Sequence, residues 1–330
     1  MNAAAPRLTA ALGNRYDTRY LIDGAITVDG FPLDFVDSGK HPWISFREMI
    51  TRLPWDIGEQ AFSHYLIARD QGRPLTAVPV FPSRFFPQLG AIVRRGAGID
   101  HPRDLAGRRV GVMGFGYNPA VWLRGILEQQ YDVDPRDIIW VEDSDDRFFA
   151  GLDYPRGGYQ VERMAGIDGL DGRGTTPGPV AALARGDIDA CFAPAGGPPP
   201  DDVCQPLFED RLAACESWLD AGGVFPINTV VTLRTETVER HPNLPSALYR
   251  AMVAARRRYH EATDDSDHMG FPYAWLEQRG LFPDCYGIET NREAIECMID
   301  FCSRQGVIRT RPRATDLFCE GVAGDGSRQH

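Results

Sequence analysis

Arg109-Val110-Gly111-Val112-Met113-Gly114-Phe115-Gly116-Tyr117-Asn118-Pro119-Ala120-Val121-Trp122-Leu123-Arg124 decides how this chain folds. The valines on either side of Gly111 mark 109–112 as a strand, and 114–119 is a glycine-bearing turn. From Ala120 to Tyr131 the apolar residues recur at helical spacing, with Pro119 suited to a first helical position. A strand that passes through a tight turn into a helix is the repeating unit of a parallel α/β sheet. The turn faces a helix N-terminus, where free N–H groups and the positive end of the helix dipole favour an anion. Gly114-Phe115-Gly116 lacks the third glycine of the dinucleotide fingerprint, so no nicotinamide cofactor is expected.

The same alternation extends outward on both sides. Strands are expected at 7–12, 33–36, 75–81, 91–94, 138–141 and 225–233, and 186–192 reads as a turn plus a buried strand. Helical spacing covers 45–53, 59–70, 179–185, 245–262, 273–279 and 292–305. In the second of these helices Asp56 has the position of an N-cap, and Glu59 three residues later completes a capping box. That gives both carboxylates a structural role beside any functional one. Gly196-Gly197-Pro198-Pro199-Pro200 reads as loop.

At 330 residues the chain exceeds the usual size of one core, so two lobes are expected. An apolar fraction of 43% with 25% charged residues is that of an ordinary globular protein rather than a disordered one. The first twenty residues, broken by Pro6, Arg7, Asn14, Arg15 and Asp17, do not read as an export signal. No apolar run is long enough to span a bilayer. The seven cysteines form no CxxC pair and are odd in number, which suits a reducing compartment, and the cytoplasm is the expected location. A net charge of −11 disfavours nucleic acid and anionic membrane as partners. A small anionic substrate remains compatible, because screening lets a few local arginines outweigh a distant acidic surface. A homo-oligomer is compatible as well. The histidines show no ligand spacing beside carboxylates, so no metal site is expected.

Several segments, taken in order, carry a family likeness. They are Asp23-Gly24, Asp56-Ile57-Gly58-Glu59, Pro79-Val80-Phe81-Pro82-Ser83-Arg84 and Asp104-Leu105-Ala106-Gly107-Arg108-Arg109-Val110-Gly111. Trp122-Leu123-Arg124-Gly125, Gly186-Asp187-Ile188-Asp189-Ala190, Phe225-Pro226-Ile227 and Asn291-Arg292 complete the set. In these segments the chain resembles the 4,5-dihydroxyphthalate decarboxylase family, enzymes related to solute-binding proteins. The resemblance implies an α/β, two-lobed type II periplasmic-binding-protein-like fold with mixed, mostly parallel sheets and a central cleft. Lobe I would be discontinuous, 1–95 plus 225–330, and lobe II would be 96–224. The chain would cross between them near 89–99 and 222–231, with the active site in the cleft.

The implied activity is a cofactor-independent decarboxylation, a carbon–carbon lyase reaction on a small hydroxylated aromatic or related carboxylic acid, of the kind used in aromatic catabolism. The chain departs from the family pattern at two places. Pro87-Gln88 stands where the family usually carries Arg-His, and Asn228-Thr229 where it usually carries Met-His. Two proton carriers are thereby absent, and a positioned acid or base contributes about 10²–10⁴ in rate. His64 is the candidate replacement, against a structural role on its helix. Glu59 and Arg124 join it as candidate catalytic residues. Arg84 and Arg124 are the candidate clamps for substrate oxygens, because arginines and fixed N–H donors stabilise developing negative charge. Arg124 has a helix-face salt bridge as its alternative. Tyr117, Asn118, Trp122, Asn228 and Thr229 are candidate substrate contacts, with turn formation or core packing as the other reading for the first three. Two further functions stay open: a cytoplasmic solute-binding protein without catalysis, and a hydrolase or isomerase on the same scaffold.

Overall fold

The computed structural model describes residues 7–14, 18–37, 43–143, 152–164, 178–192, 202–262, 267–268, 271–281 and 285–322. In chain order its first part runs β1 (Leu8–Ala11), α1 (Arg19–Ile22), β2 (Leu33–Phe35), α2 (Trp43–Thr51), β3 (Ile57–Ala61), α3 (Phe62–Asp70) and β4 (Leu75–Val78). A 3₁₀ turn at Pro87–Gly90 then leads to β5 (Ala91–Arg94), β6 (Arg109–Gly111), α4 (Asn118–Tyr131), β7 (Ile139–Asp143) and β8 (Gln160–Met164). Next come α5 (Gly178–Arg185), β9 (Ala190–Phe192), β10 (Cys204–Pro206), α6 (Arg211–Asp220) and β11 (Thr229–Arg234). The last elements are α7 (Thr235–Arg240), α8 (Leu244–Ala262), the short pair β12 (Asp267–His268) and β13 (Phe271–Pro272), α9 (Tyr273–Gln278) and α10 (Ile288–Arg304).

These elements form two compact units. The first comprises Met1–Arg84, Ile227–Ile299 and Thr310–His330; the second comprises Phe85–Pro226 and Asp300–Arg309. The first holds a mixed sheet of order β2-β1-β3-β11-β4, in which β1, β2 and β3 are parallel and β11 runs against β3 and β4. Its core collects Leu8, Ile57, Val78, Val231 and Leu233 from the strands and Leu248 and Met252 from α8. The second holds a sheet of order β10-β5-β9-β6-β7-β8, parallel from β9 through β8 and antiparallel at β5 and β10. Ile92, Val141, Leu183 and Ile188 contribute to its core. Strand 91–94, placed with the first lobe by sequence, is hydrogen-bonded into this second sheet.

The expected helix at 59–70 begins instead at Phe62, and 57–61 is a strand buried at every residue. Ile57-Gly58-Glu59-Gln60-Ala61 lies between β1 and β11, so its polar members are buried inside the sheet rather than exposed on a helix, Glu59 accepting from the Gly13 N–H and Gln60 donating to the Phe46 carbonyl. Asp56 is accordingly no helix cap. Its carboxylate accepts from the Thr9 N–H and hydroxyl at 2.9 and 3.0 Å and from the Thr237 hydroxyl at 2.7 Å. Strand β8 escaped the sequence reading because Gln160–Met164 is polar on its exposed side. The stretch 196–200 lies outside the described residues.

Candidate active site

In open α/β sheets, ligands bind beyond the carboxyl ends of the parallel strands. In the first unit that edge is marked by Ala11 of β1, Ala61 of β3 and Val78 of β4. The antiparallel β11 starts on it, with Thr229 opposite Ala61. Two segments far apart in sequence meet there. The Ser83 N–H donates to the Thr229 hydroxyl at 3.0 Å, and the Asn228 and Thr229 N–H groups both donate to the Ser83 carbonyl. The Phe62 N–H, at the start of α3, donates to the Asn228 carbonyl at 2.9 Å. The turn after β4, the entry to β11 and the first turn of α3 are thereby fixed to one another.

Arg84 follows directly and is only 6% exposed. Its Nη1 donates to Asn291 Oδ1 at 2.6 Å. The Asn291 amide nitrogen is held by the carbonyls of Cys285 and Gly287 at 2.8 and 2.9 Å, which fixes the direction of its oxygen. Asn291 was read from sequence only as part of the family likeness and not as a site residue, since the helix was expected only from Arg292. It starts at Ile288, and the preceding Gly287 is tied to the Pro79 carbonyl.

Glu59 lies on the same edge, buried, with Oε2 accepting from the Gly13 N–H at 3.1 Å. That bond closes the turn after β1. His64, third in α3, is fully buried, and burial holds its pKa down to about 3. That favours the neutral imidazole at physiological pH, a form that can accept a proton but holds no imidazolium proton to give.

The other expected residues lie in the second unit, at the start of α4. Here the structure revises the reading of the glycine turn. The Phe115 N–H donates to Glu142 Oε2 and the Gly116 N–H to the Tyr154 hydroxyl, both at 3.0 Å. The anion at this turn is therefore the protein's own carboxylate, which Arg156 pairs at 2.6 Å. Tyr117 caps α4 by position, half-buried, and burial, with Cys191 nearby, raises the pKa of its phenol, so it stays a donor. Asn118 is buried as the first helical residue, which puts Pro119 second.

Trp122 and Arg124, expected as substrate-binding and catalytic residues, are buried and packed in the second unit. The Trp122 ring meets Phe301 edge-on at 5.5 Å. Arg124 donates from Nε to Gln305 Oε1 at 2.7 Å and from Nη2 to the Phe115 carbonyl, with its guanidinium 4.0 Å from the Phe115 ring centroid. Burial lowers its pKa to about 10, which leaves it charged. Gln305 donates in turn to the Val121 carbonyl, and a Cβ on Gly125 would fall 2.2 Å from the Phe301 ring. Trp122-Leu123-Arg124-Gly125 is thus the seat on which residues 301–305 pack.

Among the described residues no cluster of histidine, cysteine, aspartate or glutamate is arranged to hold a metal, and no helix is long and apolar enough to cross a membrane. The model of the NMT1/THI5 like family matches residues 47–153. The 4,5-dihydroxyphthalate decarboxylase of Comamonas testosteroni is 34% identical over 337 residues, covering 94% of this chain and 96% of that protein. The enzyme of the same name from Pseudomonas putida is 30% identical over 196 residues, 57% of this chain and 70% of its own. Among solved structures, the periplasmic aliphatic sulphonate binding protein SsuA of Escherichia coli superposes with a TM-score of 0.51 at 13% identity, covering 97% of this chain and 99% of its own. A ligand-binding component of an ABC-type import system of Staphylococcus aureus gives 0.51 at 10% identity, covering 97% and 98%. At those identities the likeness shows the fold, which is that of periplasmic binding proteins.

Proposed function

Because the chain belongs to the 4,5-dihydroxyphthalate decarboxylase family, we propose that it is a decarboxylase, a carbon–carbon lyase that acts without a cofactor on a small hydroxylated aromatic acid. The observation that carries this reading is the bond between Arg84 and Asn291. It holds a nearly buried guanidinium at the carboxyl edge of the first sheet, in a direction set by a locked amide. Guanidinium is the cation whose geometry matches a carboxylate, and a low-dielectric setting strengthens the pairing. The Asn228 and Thr229 side chains, on the same edge, are the polar groups assigned to the rest of the substrate.

The chemistry also needs a proton donor for the ring carbon and an acceptor for a hydroxyl proton. Protonation of the ring carbon that bears the carboxylate, with loss of a proton from a hydroxyl para to it, gives a dearomatised ketone. The carbon–carbon bond then breaks, CO₂ leaves, and the electron pair of that bond restores the aromatic ring as a phenolate, which takes back a proton to give the hydroxylated product. A fixed guanidinium and fixed amides stabilise the charge in a way that mobile water does not. The ring hydroxyl is what makes the reaction feasible without a cofactor.

One observation favours a second reading, ligand binding without turnover: burial keeps His64 neutral. Incubation with 4,5-dihydroxyphthalate, followed by mass spectrometry of the product and assay of released CO₂, separates the two. Formation of the monocarboxylic acid supports the lyase. Thermal stabilisation by the compound with no product supports the binding protein.

A further inference from the structure

The first sheet ends at β4, whose outer side would otherwise present a bare strand edge. Residues 310–319 close it. Phe318 forms a parallel bridge with Ala77 of β4, and the Cys319 N–H donates to the Ala77 carbonyl at 2.8 Å. Thr310, where the chain rejoins the first unit, donates from its N–H and its hydroxyl to Asp70 at the end of α3, at 2.8 and 2.7 Å. Farther back on the same helix, Tyr65 donates to the Leu317 carbonyl and Arg69 to the Asp316 carbonyl at 3.3 Å. Tyr65 and Arg69 are four residues apart and so lie on one side of α3.

Phe318 carries this contact toward the candidate site. Its ring meets Phe81 edge-on, with centroids 6.1 Å apart, and Phe81 in turn meets Phe62 edge-on at 6.2 Å. Both separations fall where edge-to-face rings attract. Phe81 stands two residues before Ser83, which is tied to Thr229, and three before Arg84. Phe62 gives its N–H to the Asn228 carbonyl. The three-ring ladder therefore ends on both segments that meet at the carboxyl edge of the first sheet, and every residue in it belongs to the first unit.

We propose that residues 310–319 are a strap that positions the candidate site, with Phe318 as its positioning residue. The Phe318 ring holds Phe81, and Phe81 sets the direction in which Pro82-Ser83-Arg84 leaves β4. Phe62 and Phe81 are fully buried and Phe318 nearly so, which suits a group that acts through Arg84 rather than on substrate. Only the turnover arm of the test rests on the decarboxylase reading above.

The test compares the full chain with Phe318→Leu, which keeps an apolar side chain on the strap and removes the ring. Hydrogen exchange is followed without ligand. The amides of Ser83, Asn228 and Thr229 exchange about tenfold faster in the variant, while those of β1, three strands away in the same sheet, stay within about threefold. Equal acceleration in both places would make Phe318 a general packing residue and overturn the proposal, as would no acceleration at Ser83. Tyr65→Phe loosens the strap at a second point, by releasing the Leu317 carbonyl, and decides the matter if Phe318→Leu does not fold. It speeds the same three amides more than those of β1, and a uniform or absent change overturns the proposal. In turnover of 4,5-dihydroxyphthalate, Phe318→Leu lowers kcat/KM by about tenfold and has no further effect in the Arg84→Gln background, because it acts through that guanidinium. A fall of equal size in both backgrounds would contradict the positioning role. Wild type without turnover sinks the decarboxylase reading and leaves hydrogen exchange to decide the strap.

Discussion

Arg84 donates to Asn291 Oδ1 at 2.6 Å while the Asn291 amide nitrogen is anchored on two backbone carbonyls. The arginine's direction is therefore set by residues 285–291, some two hundred positions later in the chain. A long flexible side chain held this way keeps less rotamer freedom to lose when an anion binds.

Asn291 should accordingly act on substrate through Arg84. We expect Asn291→Ala to raise KM by about tenfold, the value of one hydrogen bond to a charged group, with a smaller change in kcat. The discriminating measurement is a double-mutant cycle with Arg84→Ala. If the asparagine works through the arginine, its effect on KM disappears in the Arg84→Ala background. A KM effect of equal size in both backgrounds would make Asn291 a structural residue.

Residues 122–125 should behave as architecture. Gly125→Ala places a methyl inside the Phe301 ring, and overpacking of this kind costs about 1–3 kcal/mol or more. Arg124→Leu leaves the Gln305 amide oxygen and the Phe115 carbonyl unsatisfied, at about 1–3 kcal/mol each. We expect both variants to lose melting temperature. In Gly125→Ala the loss should be partly restored by Phe301→Leu, which removes the ring. An Arg124→Leu variant of wild-type stability with abolished turnover would return Arg124 to the active site.

The distinction between architecture and site was only partly legible in the sequence. The strand, turn and helix at 109–131 were readable because their periodicity is local, and so was the alternation that makes the two sheets. On the first sheet's carboxyl edge, Arg84 was readable as the residue after a strand, whereas Asn228-Thr229, expected inside a strand at 225–233, drew notice only because the family resemblance puts Met-His there. Three features were not. Residues 57–61 carry glycine, glutamate and glutamine in a wholly buried strand, a pattern that local propensity assigns to a helix surface. The turn at 114–117 has the composition of an anion site, yet its amides are taken by Glu142 and Tyr154, partners 27 and 38 positions away. Trp122 and Arg124 have residue types suited to aromatic and carboxylate recognition, but Phe301 and Gln305 reach them from the far end of the chain. Only long-range contacts decide such cases.

His64 should shape the acid limb of the stability curve. Its pKa falls from 6.5 to about 3 on folding, so the unfolded chain binds the proton more readily. Its stabilising contribution is fully present above pH 6.5 and is lost as the pH falls toward 3. The loss approaches about 1.4 kcal/mol per pH unit inside that window, or roughly 2 kcal/mol by about pH 5. We expect denaturant unfolding of His64→Gln to show a flatter dependence between those limits. An unchanged slope would mean that the imidazole is protonated or solvated in the native state.

The guanidinium of Arg84 is the centre of the account, and Arg84→Gln tests it most directly. The variant keeps a hydrogen-bonding side chain and removes the charge. Turnover of 4,5-dihydroxyphthalate by wild type and variant is followed by mass spectrometry, with the melting temperature as the control for folding. The expected result is product from wild type and a loss of kcat/KM of about 10²-fold or more in Arg84→Gln, in line with removal of a group that stabilises developing charge, at a melting temperature within a few degrees. A variant that decarboxylates as fast as wild type would contradict it.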